Sequence, residues 1–218
     1  MTIASPTPTP RPIARCDEFI FCRDPQVYDE VTCKCINPSP VIIDVKGDGF
    51  ELTDAAGGVK FDIDANGFME RVAWTKAGSD DGFLFLDRNG NGVVDNGVEL
   101  FGNVTPQGFA ATPNGFVALA LLDQPGVWTG NRDGLIDSRD EVFPDLRIWQ
   151  DRNHNGVSEP TELHTLQELE IESISLAYKE SRRVDRHGNE FRYRAKVVDI
   201  RHSPVGRWAW DVLLVWSP

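Results

Sequence analysis

A short acidic loop occurs twice in this chain in nearly the same form, and it limits what the chain can fold around. Residues 87–93 read Asp-Arg-Asn-Gly-Asn-Gly-Val, and residues 151–157 repeat them 64 positions later with six of the seven residues identical. The second copy continues to Glu162, so residues 151–162 match the EF-hand pattern D-x-[DN]-x-[DN]-G-x5-E at every specified position. Such a loop folds around a cation, because one short segment then supplies most of the six to eight oxygens that Ca²⁺ prefers.

The spacing assigns ligand roles in both copies, because side chains at loop positions 1, 3 and 5 converge on the ion and the glycine at position 6 permits the sharp turn. We name the copies loop III (87–99) and loop V (151–162). The expected ligands of loop V are Asp151, Asn153, Asn155, the carbonyl of Val157, Glu159 and Glu162. Loop III has one extra residue before its closing glutamate, and its expected ligands are Asp87, Asn89, Asn91, the carbonyl of Val93, Asp95 and Glu99.

Three further segments are variants of the same loop. Loop II (62–70) lacks an acid at position 12, and loop IV (131–140) has Thr129 at position 1 with an acidic candidate, Asp123, further upstream. Loop I (44–49) carries Lys46 at position 3, and its ammonium could neutralise the loop, so we rank it last. The expected ligands are Asp62, Asp64, Asn66, the carbonyl of Phe68 and Glu70 in loop II, Asn131, Asp133, Asp137 and Asp140 in loop IV, and Asp44 and Asp48 in loop I.

The charge of the chain supports cation binding. The net charge is −12, and 14 of the 34 acidic residues occupy candidate ligand positions, so the other 20 face 22 basic residues. The acidity is therefore concentrated in the loops, and nucleic acid is not an expected partner because it requires a basic surface. The alternative is that Asp, Asn and Gly form ordinary turns. Five loops in one register favour several Ca²⁺ ions as cofactors.

Between the loops, short apolar runs at 41–43, 83–86 and 146–149 predict strands that end in the loops. Asn114 predicts the N-cap of a short helix, and Pro160 with leucines at spacing three predicts a second, containing Leu163, Leu166 and Leu169. Period-two runs at 191–197 and 208–212, with a turn at 203–206, predict a hairpin. The expected fold class is α+β, with short strands and hairpins, few short helices and several EF-hand-like loops.

The N-terminal part differs in composition from the rest. We expect a Pro/Thr-rich spacer at 1–15, a cysteine-clipped segment at 16–38 and the calcium-binding module at 39–218. The segment holds all four cysteines, which allow three disulfide pairings. We favour Cys16–Cys33 with Cys22–Cys35, and a zinc site remains the alternative. Disulfides would indicate an extracellular compartment, although no classical signal peptide is visible. No apolar run is long enough for a membrane-spanning helix.

Taken together, these segments resemble a known family, the RTX-type secreted bacterial proteins, and specifically the self-processing module of the iron-regulated RTX proteins. The resemblance covers about residues 40–180, without the glycine-rich nonapeptide repeats. The segments that carry it are 40–44 with 47–49, 81–84, 87–92, 99–102, 114–116, 146–151 and 174–178.

The resemblance implies a module that folds on calcium and then cleaves an Asp-Pro bond at its own N-terminal edge, after which the freed aspartyl group can link to a lysine. The matching junction here is Ser39-Pro40, which lacks the carboxylate, and the chain's Asp-Pro pair is Asp24-Pro25. We therefore expect no enzyme. The expected function is a secreted or cell-surface calcium-binding module of an adhesion or assembly protein with an unidentified surface or self-assembly partner. The alternative is the self-processing module.

Overall fold

The computed structural model describes residues 20–29, 33–108, 112–126, 129–201 and 207–217. Within these residues the chain forms fourteen β-strands, one α-helix and one 3-10 helix. The strands are β1 Val27–Asp29, β2 Lys34–Ile36, β3 Val41–Ile43, β4 Val59–Phe61, β5 Glu70–Val72, β6 Gly82–Leu86, β7 Leu135–Asp137, β8 Leu146–Trp149, β9 Leu163–Thr165, β10 Ile171–Ser175, β11 Lys179–Val184, β12 Glu190–Asp199, β13 Arg207–Leu213 and β14 Trp216–Ser217. The α-helix α1 spans Gly115–Ala120 and the 3-10 helix spans Pro160–Glu162.

The expected α+β class is wrong, because the described part of the chain is nearly all β. Nine strands form one antiparallel sheet in the order β7-β10-β12-β13-β3-β6-β8-β9, with β11 pairing β12. A three-stranded sheet, β14-β5-β4, and the β1-β2 hairpin account for the other strands. The sole α-helix among the described residues has six residues, so helices contribute little to the architecture.

The central strands β3 and β6 of the large sheet are buried on both faces, and this explains their uninterrupted apolar runs. Val41 and Ile43 of β3 lie in one core cluster with Phe116 of α1, whereas Ile42 lies in a second cluster with Phe61 of the small sheet. The leucines and phenylalanines of β6 divide between the clusters in the same way. A strand that is covered on both sides needs apolar residues at every position, so its sequence does not alternate.

The predicted helix at Asn114 is confirmed, and the predicted terminal hairpin is confirmed as β12 and β13, although its turn at 203–206 lies outside the described residues. The second predicted helix is wrong. Only Pro160–Glu162 is helical, as a 3-10 turn, and Leu163 then pairs with Trp149 in the large sheet. The leucine spacing reflects burial: Leu166 lies in the core, and Leu169 packs against it.

The cysteine-clipped segment contacts the module in the described residues. Cys22 and Cys35 form a disulfide, as expected, and Cys33 is also disulfide-bonded. The spacer and Cys16 lie outside the described residues. Arg192 of β12 donates to the buried carboxylate of Asp29 at 2.9 Å, which ties the β1-β2 hairpin to the large sheet. In the described part of the chain, no helix is long and apolar enough to cross a bilayer.

Candidate metal centre

One hydrogen bond is common to all five acidic loops. The carboxylate of the first aspartate accepts the backbone N–H of the glycine at position 6, which draws the loop around that carboxylate. The donor and acceptor pairs are Gly49 to Asp44 at 2.9 Å, Gly67 to Asp62 at 3.0 Å, Gly92 to Asp87 at 2.8 Å, Gly134 to Asp123 at 3.0 Å and Gly156 to Asp151 at 2.8 Å.

The backbone of the five loops also agrees at position 4, where each residue has a positive φ. The residues and angles are Gly47 at 76°, Ala65 at 61°, Gly90 at 74°, Arg132 at 61° and His154 at 59°. A residue with a Cβ pays roughly 1–2 kcal/mol for this left-handed conformation. Its occurrence at Ala65, Arg132 and His154 therefore indicates that the rest of each loop imposes one shape.

Loop V is closed by Glu162, which is 4% exposed. Its Oε1 accepts the backbone N–H groups of Arg152 at 2.9 Å and Asn153 at 3.3 Å. Two buried indoles donate into the same loop, Trp149 to Glu162 Oε2 at 3.4 Å and Trp74 to Asp151 Oδ2 at 2.8 Å. The first and last expected ligands are therefore held by the core.

The side chains at positions 3, 5 and 9 of loop V also come together. The amides of Asn153 and Asn155 donate to Glu159 Oε1 at 3.2 and 2.8 Å, and Glu159 Oε2 is buried without a partner. The backbone N–H of Val157 donates to Asn155 Oδ1, so the chain turns around this side chain. Five of the six expected ligands of loop V, all except the carbonyl of Val157, therefore form hydrogen bonds within the loop.

Loop III has the same construction. Glu99 accepts the N–H groups of Arg88 at 3.0 Å and Asp95 at 2.9 Å, and Asp95 accepts from the amides of Asn89 and Asn91. The extra residue before Glu99 therefore leaves the closing carboxylate in place.

Loops III and V pair with each other at position 8. The buried N–H of Val94 donates to Ser158 Oγ at 2.7 Å. The two near-identical sequence copies are thus neighbours in space, 64 residues apart along the chain.

Loop II brings its acids together as the sequence predicts. One oxygen each of Asp62, Asp64 and Glu70 lie within 4.8 Å of one another. Glu70 is 8% exposed, and its Oε2 is buried without a hydrogen-bond partner. An unpartnered buried carboxylate oxygen is costly unless a ligand such as a cation satisfies it.

Loop I gains a residue that sequence reasoning missed. Asp80 joins Asp44 and Asp48, with one oxygen of each within 4.8 Å of the others. It arrives there because β3 and β6 are antiparallel, with Ile43 opposite Gly82, so the residues before β6 meet the residues after β3. Lys46 was expected to neutralise the loop, and its ammonium lies 3.5 Å from Asp80 Oδ1.

Loop IV departs most from the expected assignment. Asp140 is 1% exposed and accepts the N–H groups of Asn131 and Asp137, so it closes the loop as expected. Thr129, at the sequence position of the first ligand, donates its hydroxyl to Glu141 instead. Asp123 occupies the first position in space, through its hydrogen bond from Gly134.

Burial disfavours the ionised form of several loop carboxylates when no cation is bound. Burial raises the pKa of Asp44, Glu70 and Glu162, and the charge of Asp64 raises that of Glu70 further. The donors in every loop are oxygens, the set that suits a hard cation such as Ca²⁺ rather than a thiolate-seeking metal. The residues present therefore fit calcium.

Comparison with known proteins places the chain in a family. The family model described as the SPM domain matches residues 41–203. The chain belongs to the SPM domain family. Iron-regulated protein FrpA of Neisseria meningitidis serogroup C is 42% identical over 153 residues, which are 69% of this chain and 13% of FrpA. This SPM domain therefore corresponds to a small part of that relative, and the inferred resemblance to iron-regulated RTX proteins is supported.

The N-terminal edge of this SPM domain is a buried polar junction. Ser39 is 3% exposed and donates its hydroxyl to Asp211 Oδ2 at 3.0 Å, while its N–H donates to Asn103 Oδ1 at 2.8 Å. The same Asp211 oxygen accepts the N–H of Gly115 at 2.7 Å. Burial raises the pKa of Asp211 to about 6. Asp211 and Asn103 could not be identified from sequence. They belong to no recognisable motif, and only the fold brings them to residue 39.

These pKa shifts predict that the calcium-free SPM domain is more stable in mild acid. Burial raises the pKa of Asp81 to about 7 and that of Asp211 to about 6, so both bind protons more tightly when folded. Stability from such groups is full below their unfolded pKa and is lost as pH rises through the folded value. In EDTA, the Tm should therefore fall by roughly 5 °C or more between about pH 5 and about pH 8. A flat or opposite profile in thermal melts would contradict these shifts.

Proposed function

We propose that this chain is a calcium-binding module whose fold is completed by several Ca²⁺ ions, and that it acts outside the cell as part of a larger adhesion or assembly protein. The observation that carries the proposal is the common construction of the five loops. Each loop wraps a buried or half-buried aspartate with the same position-6 hydrogen bond and the same position-4 backbone. Five unrelated turns would have no physical reason to share the same hydrogen bond and the same backbone conformation at matching positions, whereas five ion-binding loops would.

Calcium acts here as a folding ligand. Without a cation, the carboxylates of loop II lie close together, and burial together with the charges of Asp64 and Asp62 raises the pKa of Glu70. A bound Ca²⁺ ion replaces this repulsion with attraction and satisfies the unpartnered oxygens of Glu70 and Glu159. The ions link loops that also contact each other, as loops III and V do through Ser158. Binding and folding are therefore coupled.

The extracellular assignment rests on two observations and on the usual affinity of such modules. Cys22–Cys35 is a disulfide, and disulfides persist in oxidising compartments. This chain resembles the secreted RTX proteins in sequence, and its relative FrpA is named an iron-regulated protein. Extracellular calcium modules bind with Kd values of about 10⁻⁴ to 10⁻³ M, so such sites fill outside cells and stay largely empty inside.

We further propose that the chain does not process itself. The reaction implied by the family resemblance uses the carboxylate of an aspartate before proline, and Ser39 offers only a hydroxyl there. That hydroxyl is held by Asp211 in the buried junction. The self-processing function is the second candidate, favoured by the match of the SPM domain model, and it requires a nucleophile that residue 39 lacks.

The proposed function predicts a large stabilisation by calcium. Each occupied site adds about 2.7 kcal/mol at a hundredfold excess of free ion over its Kd. Several sites together should raise the Tm by more than about 10 °C at roughly 10 mM CaCl₂ relative to EDTA. Circular dichroism melts and equilibrium dialysis with Ca²⁺ measure the stabilisation and the number of ions.

Magnesium is the matched control for this experiment. Mg²⁺ has the same charge but demands a smaller octahedral shell and loses its waters reluctantly, so it should stabilise the chain much less. An equal response to both ions would indicate charge screening, and an unchanged Tm with no bound calcium would contradict the proposed function.

A further inference from the structure

The charge of the chain is divided unevenly along the sequence. Residues 179–207 hold nine Lys or Arg and four Asp or Glu, which gives them a net charge of +5. The remaining residues hold 13 basic and 30 acidic side chains, which gives them a net charge of −17. The segment that contains β11 and β12 is therefore a basic region in an otherwise acidic molecule.

Strand pairing places cations of this region on one face of the large sheet. Lys179 lies opposite Arg194, and Arg194 lies opposite Trp210 on the next strand. Lys196 is two residues further along β12, so its side chain points to the same side as that of Arg194. We name Lys179, Arg183, Arg194 and Lys196 the basic face, and all four residues are exposed.

Aromatic rings hold the two guanidinium groups of the basic face. The guanidinium carbon of Arg183 lies 4.3 Å from the ring centroid of Phe191 and 5.6 Å from that of Trp210. The guanidinium carbon of Arg194 lies 4.8 Å from the ring centroid of Trp208 and 5.5 Å from that of Trp210. Two positive charges therefore share one indole ring. Stacking fixes each guanidinium plane and leaves its N–H groups at the edge available to an anion.

The cations of the basic face lack a counter-ion. Within the described residues none of the four forms an ion pair, and neither guanidinium donates a hydrogen bond. Four other arginines of the sheet and loops do contact an acid, namely Arg139, Arg192, Arg201 and Arg207. Unpaired like charges that lie close together repel one another, and a bound anion would relieve this repulsion.

Protection of the sheet edge does not explain the basic face. Basic residues on an edge strand hinder pairing with other chains, and among the described strands β11 pairs with β12 alone. That explanation covers Lys179 and Arg183. Arg194 and Lys196 lie on β12, which pairs with β13 on one side and with β10 and β11 on the other. Their charges therefore require another reason.

We propose that the basic face binds an acidic polysaccharide, whose sulfate, phosphate or carboxylate groups bridge the guanidinium groups of Arg183 and Arg194. Nucleic-acid bases would need free ring faces for stacking, and here guanidinium groups cover the rings. Trp208 is half-buried and Trp210 is buried, so these indoles are not free to enter a bilayer. An extended peptide would pair with a free strand edge, which β12 does not offer. The choice of a glycan rests on the extracellular location proposed above, whereas the charged face itself does not.

The first test measures binding of heparin oligosaccharides of defined length, used as the probe, to the whole chain in CaCl₂. Calorimetric titration should show binding to the wild type despite its net charge of −12, and the affinity should fall as NaCl is added. The double variant Arg183→Gln, Arg194→Gln should bind about tenfold more weakly. Neutral dextran should not bind. Absence of heparin binding by the wild type at an ionic strength of about 0.15 M overturns the inference.

The second test separates the basic face from general charge effects. Lys196→Gln removes one charge of the face without removing a stacked guanidinium, and it should weaken heparin binding by roughly threefold with an unchanged Tm. Lys60→Gln is the matched control, because Lys60 is an exposed cation on β4 of the small sheet. It removes the same charge and should keep the wild-type affinity. Equal losses in the two variants would contradict a site at the basic face.

The third test identifies the class of polyanion. Poly-glutamate, a single-stranded oligonucleotide and vesicles with anionic lipid carry similar charges on a peptide, a nucleic acid and a bilayer. Each should bind more weakly than heparin at the same concentration of charge, and tighter binding of any of them overturns the polysaccharide assignment. Thermal melts of the same samples keep the two proposals apart, because a wild type that binds heparin but ignores calcium contradicts the proposed function alone.

Discussion

Replacing Glu162 by glutamine should remove the ion of loop V and weaken the calcium-loaded protein by about 3 kcal/mol or more. Position 12 supplies two oxygens to Ca²⁺, so its loss removes more coordination than any other single ligand. Glu162 is also 4% exposed and holds the backbone N–H groups of Arg152 and Asn153. A glutamine amide would direct its N–H₂ group at one of these donors or at the indole of Trp149.

Tryptophan fluorescence gives this prediction a local readout. Trp149 and Trp74 donate to the last and first expected ligands of loop V, so their emission should change as calcium fills that loop. Glu162→Gln should abolish this fluorescence change and reduce the dialysis count by one ion. Glu190→Gln, at an exposed acid of β12, should leave both measurements unchanged. A full ion count in Glu162→Gln would show that Glu162 is not a ligand.

The ligands that sequence predicted are those that follow one another along the chain. The ligands of loops III and V could be predicted because one short segment supplies every expected oxygen. The repeated pattern also fixes which residue occupies each loop position. Asp80 was not identified from sequence, and Asp123 was noted only as an acid upstream of loop IV, because both residues reach their loops through space. Asp80 depends on the antiparallel pairing of β3 with β6, and Asp123 depends on the close approach of Gly130. Neither of these contacts produces a recognisable pattern in the local sequence.

The fold class was misjudged because one of the two predicted helices, the one after Pro160, does not form. Here loop I follows β3, loop III follows β6 and loop V follows β8, so each of these three loops begins at the end of a strand of the large sheet and not at the end of a helix. After loop V, Glu162 turns back to the loop and Leu163 pairs with Trp149, which leaves room for only one 3-10 turn. The leucine spacing of three was therefore a burial pattern of an irregular segment, and tertiary contacts overrode the helical interpretation.

The second large effect is expected at the junction of residues 39 and 40. Wild-type protein with calcium should stay a single chain, because Ser39 has no carboxylate to attack its own peptide carbon. Ser39→Asp restores an Asp-Pro bond, and in that variant the new carboxylate attacks the carbonyl carbon of residue 39 while the bond to Pro40 breaks. The leaving nitrogen of Pro40 then needs a proton. Calcium should therefore produce a fragment beginning at Pro40 in Ser39→Asp, detected by mass spectrometry.

Asp211 should control the pH dependence of that variant. Ser39 Oγ lies 3.0 Å from Asp211 Oδ2, so an aspartate at 39 would bring two buried carboxyls together. Such a pair shares one proton, and its upper apparent pKa rises above the value of about 6 that Asp211 has alone. Cleavage should slow as pH rises through that upper value, because the pair then loses the proton that the leaving nitrogen needs.

Two controls separate this chemistry from misfolding. Ser39→Asn has nearly the same shape as Ser39→Asp but no carboxylate, so it should respond to calcium in thermal melts and remain uncut. Ser39→Asp should show the same melting response before cleavage. A wild-type fragment that begins at Pro40, or at Pro25 after the other Asp-Pro pair, would contradict the proposal that this chain does not process itself. A folded, calcium-responsive Ser39→Asp that stays intact would show that the junction lacks more than the carboxylate.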